Sequence, residues 1–161
     1  MNKNILNMAE MDRRALLKAA GMGALALTGA GIASTANATP EGAAAYLGKI
    51  TGGASGMANS PKVTINLPEI AENGATVPLT VSVDSPMTAG DHVKHIHIVA
   101  EGNPSPEVIS FNLTPSNGKA EVATRMRLGK TQNVVAAAVM SDGSVHTNLK
   151  SVKVTIGGCG G

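Results

Sequence analysis

From Val63 onward, apolar residues fall on every second position of the chain. Val63, Ile65 and Leu67 alternate with Thr64 and Asn66, and Val77, Leu79, Val81 and Val83 alternate with Pro78, Thr80 and Ser82. Ala120, Val122, Met126 and Leu128 alternate in the same way with Lys119, Glu121, Arg125 and Arg127. A period of two predicts strands with one face on a core and the other in water. The run from Gln132 to Met140 is apolar on both faces and predicts a central strand. The last run changes parity: Val145, Thr147 and Leu149 are odd, whereas Val152, Val154 and Ile156 are even. A one-residue slip reverses the face of every side chain, so this pattern predicts a bulge or turn near Lys150-Ser151 and a final strand ending at Ile156.

Turn chemistry separates these runs. Asn73-Gly74 and Asn117-Gly118 precede strands, and Asp142-Gly143 lies between Met140 and Val145 as a hairpin signal. Asn103-Pro104-Ser105-Pro106 cannot continue a strand, because proline has no backbone donor. Seven short strands so punctuated predict an all-β fold, an immunoglobulin-like antiparallel β-sandwich over residues 61–156. Upstream, Glu41 to Lys49 is alanine-rich without strand alternation and predicts a short helix. Glycines 52, 53 and 56 make the following stretch a flexible joint, so residues 39–60 form a helix and a joint.

Composition then narrows the core. Downstream of residue 38 the aromatics are Tyr46 and Phe111, and there is no tryptophan anywhere. The core must therefore be built from Val, Ile, Leu, Ala and Met.

The first 38 residues predict an address. Arg13-Arg14 precedes Leu16, Leu17 and Lys18, and an uncharged, mildly apolar stretch runs from Ala19 to Ala33. Ala36-Asn37-Ala38 then supplies a small-x-small cleavage pattern. Paired arginines before such a stretch predict a twin-arginine export signal, with Arg13 and Arg14 as its determinants. A membrane anchor is the competing reading, but the stretch is shorter than the roughly 20 residues that span a bilayer. The expected localisation is the periplasm, with no stable membrane association after cleavage behind Ala38. Cleavage removes four basic and two acidic residues and leaves nine of each, so the mature chain is neutral. The overall net charge of +2 thus belongs to the signal and gives no support for nucleic-acid binding.

The one cysteine, Cys159, closes the chain within Gly157-Gly158-Cys159-Gly160-Gly161. Glycine gives the backbone its widest choice of angles, and termini are poorly ordered unless tied down. Residues 157–161 are therefore expected to form a flexible swinging arm, with Gly157, Gly158, Gly160 and Gly161 as its stalk. Cys159 would lie about 10 Å beyond Ile156 when the chain is extended. A lone exposed thiol in an oxidising compartment ends in a mixed disulfide, in an intermolecular one, or loaded with a cargo. It is one residue too close to the end for a prenylation box.

Further residues carry a resemblance. Leu67-Pro68-Glu69-Ile70-Ala71-Glu72-Asn73-Gly74, Val83-Asp84-Ser85-Pro86-Met87-Thr88, Ala100-Glu101-Gly102-Asn103-Pro104, Thr131-Gln132-Asn133-Val134-Val135 and the glycine-fenced cysteine resemble the SoxY family. These are the sulfur-carrier subunits of bacterial thiosulfate oxidation. The resemblance implies that Cys159 is the covalent attachment site for thiosulfate-derived sulfur. It implies a heterodimer with a SoxZ-like subunit, and dealings with a haem-containing enzyme, a hydrolase and a sulfur dehydrogenase of the same system. It also implies that the chain itself is not an enzyme and carries no cofactor.

Asp91-His92-Val93-Lys94-His95-Ile96-His97 supports a different reading. Three histidines in six residues suggest a periplasmic mononuclear metal-binding redox protein using His92, His95 and His97, with His95 and His97 on one strand face. The segment faintly resembles the histidine strand of superoxide reductases, which also have a sandwich fold. Those proteins need a further cysteine–histidine motif in the domain, whereas this cysteine is in the tail, and no metal ligands are assigned. Arg125 and Arg127 could steer sulfur oxyanions, although paired arginines on an outward face are more often simply solvated.

Overall fold

The computed structural model describes residues 39–53 and 58–157. Arg13, Arg14, Gly158, Cys159, Gly160 and Gly161 lie outside the described residues. Helix α1 (Pro40–Ile50) begins at Thr39, whose Oγ1 accepts a hydrogen bond from Gly42 N at 3.1 Å. Pro40 sits in its first turn, where a missing backbone donor costs nothing. Eight strands follow: β1 (Val63–Asn66), β2 (Ile70–Ala71), β3 (Val77–Val83), β4 (Val93–Ala100), β5 (Glu107–Asn112), β6 (Ala120–Met126), β7 (Gln132–Met140) and β8 (Val145–Val154). They form a three-stranded sheet ordered β1-β3-β6 and a five-stranded sheet ordered β2-β8-β7-β4-β5.

The alternating runs do what their period requires. β3 buries Val77, Leu79, Val81 and Val83, and β7 turns Val134, Ala136, Ala138 and Met140 inward to the same core. Ile96 and Ile98 of β4 complete it from the five-stranded sheet. Removing this apolar surface from water supplies the main stabilisation of the fold, at about 25 cal/mol per Å². The other face of β7 is also closed, because Ala43, Tyr46 and Leu47 of α1 pack against Val99 and Val135. That accounts for a central strand apolar on both faces.

Pairing, strand number and the register of β8 differ from the sequence expectation. Pairing is antiparallel throughout except that β2 runs parallel to β8, with Ile70 opposite Lys153. The described residues form eight strands, the extra one being the two-residue β2, too short to show a period. No bulge interrupts β8 near Lys150-Ser151: its register against β7 is continuous from Val145 opposite Val139 to Val152 opposite Gln132. The parity change arises because the two halves of β8 use opposite faces. Val145 and Leu149 lie beside Val139 and Val135 on the outer face, whereas Val152 is fully buried in the core. On the core side of the first half, polar groups stitch the sheets together. Asn148 Nδ2 donates to Val63 O at 2.6 Å, and His146 Nδ1 meets Ser60 Oγ at 3.1 Å.

Bulges occur instead in β4, where the register shifts between Val93 and His95 against β7, and between Ile98 and Val99 against β5. The first lets both Val93 and Ile96, of opposite parity, reach the core. The Asp142-Gly143 hairpin forms as its sequence predicts, with Gly143 at φ +86° and Asp142 Oδ1 accepting from Ser144 N at 2.8 Å.

Candidate functional site

The end of β8 and the residues up to Gly157 are tied down on both sides. On the β2 side, Thr155 N donates to Ala71 O at 3.1 Å, and Thr155 Oγ1 donates to Glu72 O at 3.0 Å. Ile156 O then accepts from Gly74 N at 2.8 Å. On the β7 side, Val154 N donates to Thr131 Oγ1 at 3.0 Å. The regular strand stops at Val154, two residues short of the expected end. Gly157 comes next, and a Cβ placed there would collide with the carbonyl of Gly129. This glycine is required by close approach of another backbone, not by a left-handed angle.

Gly129 belongs to the turn between β6 and β7, and that turn rests on two buried amides. Asn103 and Gln132 are 5% and 7% exposed. Asn103 Nδ2 donates to Arg127 O at 2.9 Å, while Asn103 Oδ1 accepts from Gly129 N at 3.1 Å. Gln132 Nε2 donates to Asn103 Oδ1 at 2.9 Å and to Lys130 O at 3.2 Å. Gln132 Oε1 accepts from Gly102 N at 2.6 Å. Three backbone groups of the turn are thus bonded by side chains. Gly102 is itself obligatory, since a Cβ there would lie 2.9 Å from Gln132 Cβ. Leu128 N donates to Gly74 O at 2.8 Å, so Gly74 links the turn directly to Ile156. No buried side-chain polar atom among the described residues lacks a partner.

Sequence reasoning did not find this network. The available signals were a glutamine opening an apolar run and a glycine–asparagine pair before a proline. Such residues ordinarily read as surface and turn.

The histidines are arranged otherwise than a metal site requires. The His95 and His97 rings stack with centroids 5.8 Å apart on the outer face of β4. Each is engaged through Nδ1 with a β5 neighbour, His95 with Asn112 Oδ1 and His97 with Ser110 Oγ, both at 2.7 Å. His92 Nδ1 donates to Thr88 O at 3.1 Å. Among the described residues, no group of three or more His, Cys, Asp or Glu is gathered closely enough to hold a metal ion. The metal-binding alternative therefore finds no ligand set. Partial burial, together with the neighbouring His95, holds His97 below the ordinary histidine pKa, and Glu107 opposes this weakly. Burial and the Glu107 carboxylate push the Tyr46 hydroxyl up to about 12. Arg125, on the outward face of β6, and Arg127, in the turn that follows it, are both exposed.

Fold and site together define a two-sheet β-sandwich whose last strand ends, braced on both sides, just before the glycine-fenced cysteine in the sequence. A family model described as "Sulfur oxidation protein SoxY" matches residues 47–159. The sulfur carrier protein SoxY from Chlorobium limicola f thiosulfatophilum is 37% identical, covering 70% of this chain and 96% of that one at a TM-score of 0.60. The chain belongs to the SoxY family. A superoxide reductase (neelaredoxin) from Ignicoccus hospitalis matches at 19% identity and TM-score 0.53, covering 72% of this chain and 93% of that one. A putative superoxide reductase from Thermotoga maritima matches at 18% identity and TM-score 0.53, covering 62% and 93%. These last two share the fold alone. No curated protein matches this sequence.

Proposed function

We propose that this chain carries thiosulfate-derived sulfur covalently on Cys159 and catalyses none of the steps itself. The observation that carries the proposal is that the family match runs to residue 159, through the chain's one cysteine. The sandwich, which we take to be immunoglobulin-like, serves as the body and residues 157–161 as its arm. Loading joins the Cys159 sulfur to the sulfane sulfur of thiosulfate, giving Cys–S–S–SO₃⁻ with release of one proton and two electrons. A haem-containing enzyme of the same system accepts the electrons. Hydrolysis by a second enzyme adds water, releases sulfate and leaves a persulfide on Cys159. A sulfur dehydrogenase then oxidises the remaining sulfane. Tethering keeps each intermediate at high local concentration while successive enzymes act.

The same reading places the mature protein in the periplasm, exported through Arg13 and Arg14 and bound to a SoxZ-like subunit. A neutral mature chain, with no self-repulsion against association, suits a protein that lives with a partner.

Intact-mass measurement of the protein from cells respiring thiosulfate tests the assignment. Adducts on Cys159 that a thiol reductant removes are expected, and Cys159→Ser should abolish them with folding unchanged. Unmodified protein throughout active turnover would overturn the carrier reading.

A further inference from the structure

We propose that the turn carrying Gly129, braced by the buried Asn103–Gln132 amide pair, is a socket that fixes the root of the C-terminal arm at Gly157. The segment bearing Cys159 then starts from one fixed point. This rests on the carrier reading above and adds a positioning role to residues that never touch sulfur.

Three observations converge on the socket. Gly157 approaches the Gly129 carbonyl so closely that no other residue fits there without displacing a backbone. Gly129 is held in turn by Asn103 Oδ1, which also accepts from Gln132 Nε2. The hydrogen bonds Leu128 N to Gly74 O and Gly74 N to Ile156 O, each 2.8 Å, then close a loop from the turn back to the arm's root. The stitching of Val154 by Thr131 and of Thr155 by Glu72 holds the preceding residues from both sides. A free-swinging tail needs none of this. Buried, fully satisfied amide networks rigidify what they contact, and this one is spent on a surface turn whose neighbour is the arm.

The physical consequence concerns docking. An enzyme that must receive a thiol on a short tether gains when the tether starts from a fixed point, because fewer orientations are lost on binding. With the first arm glycine pinned, the reach to Cys159 is set by two residues beyond Gly157, about 7 Å when extended. Misplacing that origin by an ångström or two is a substantial fraction of the reach.

Two variants of the mature protein in complex with its partner subunit test the proposal. Gly157→Ala forces the Gly129 turn and the arm's root apart. Gln132→Met removes the brace from within the domain and adds no bulk to the arm. Amide hydrogen exchange reads the socket directly. In both variants the Gly74 and Leu128 amides should exchange at least tenfold faster, while those of Ile96 and Ala136 at the sheet centre stay unchanged. Loading of Cys159 with thiosulfate by the haem enzyme should fall at least tenfold in both, at temperatures where both are folded. Alkylation of Cys159 by iodoacetamide should stay within twofold of wild type, since a small reagent needs no docking geometry.

Exchange of Gly74 and Leu128 within twofold of wild type in Gly157→Ala would show that the root is not held at Gly129. Faster exchange with undiminished loading in both variants would show that the socket holds the arm without positioning it. Either overturns the proposal, and Gly157→Ala decides it even if Gln132→Met does not fold. Absence of loading in the wild type would sink the carrier reading instead, while exchange still reports on the socket.

Discussion

Gln132 opens the central strand with its side chain in the core, and replacing it by methionine isolates what its amide contributes. Methionine matches its length and unbranched shape, so packing is largely kept. Three hydrogen bonds are lost, to Gly102, Asn103 and Lys130. Asn103 Oδ1 keeps its bond from Gly129 N, so its loss is partial. Gly102 N is left without its acceptor at a half-buried position. An orphaned buried group costs about 1–3 kcal/mol, and the methionine recovers part of this through apolar burial, so a net destabilisation of about 2 kcal/mol is expected. For a domain of this size about 4 °C accompanies each kcal/mol, giving a fall in Tm of about 8 °C. Thermal melting by circular dichroism, with urea unfolding as a second measure, provides the assay. Asn133→Ala serves as the neighbouring control, since Asn133 gives one partly buried bond to Glu101 and should cost less than half as much. A Gln132→Met protein melting within about 2 °C of wild type would refute the argument that the amide network stabilises the turn.

Other outcomes follow from the same structure. Folded His97 resists protonation, so the unfolded chain binds a proton that the folded one does not as pH falls below the ordinary histidine pKa of about 6.5. Stability contributed by neutral His97 is therefore complete above that pH and is lost below it; Tm measured at pH 7.5 and 5.5 should fall less in His97→Gln than in wild type. Gly143 has open space for a Cβ but a φ of +86°, so Gly143→Ala should cost about 1–2 kcal/mol from backbone strain alone, measured by urea unfolding. Replacing Arg13 and Arg14 together by lysine should abolish export, read by cell fractionation; normal periplasmic levels would refute the twin-arginine assignment.

The chain's local chemistry determined most of the strands. Period-two alternation needs only neighbours in sequence, so β1, β3 and β6 were legible from it, β7 was legible from a run apolar on both faces, and Asp142-Gly143 specified its turn through the left-handed angle that glycine tolerates. The sole cysteine and its glycines were equally plain, because their meaning lies in composition and position.

What the sequence could not settle was which apolar stripe meets which surface. The parity change in β8 suggested a bulge, yet the strand is regular, because its first half has a second apolar surface available beside Val135 and Val139. That surface exists only once α1 and the outer face of β7 are assembled. β2 likewise exists only because β8 offers it an edge. The arm's root shows the same principle most strongly. Gly157 looked like one more glycine of the arm, while Asn103 stood in a proline-broken turn and Gln132 at the head of a central strand, 29 positions apart. Only the folded sheet brings Gly157 onto the Gly129 carbonyl and the two amides into one buried network. Close backbone approach and the satisfaction of buried polar groups depend on residues distant in sequence, so local pattern carries no record of them.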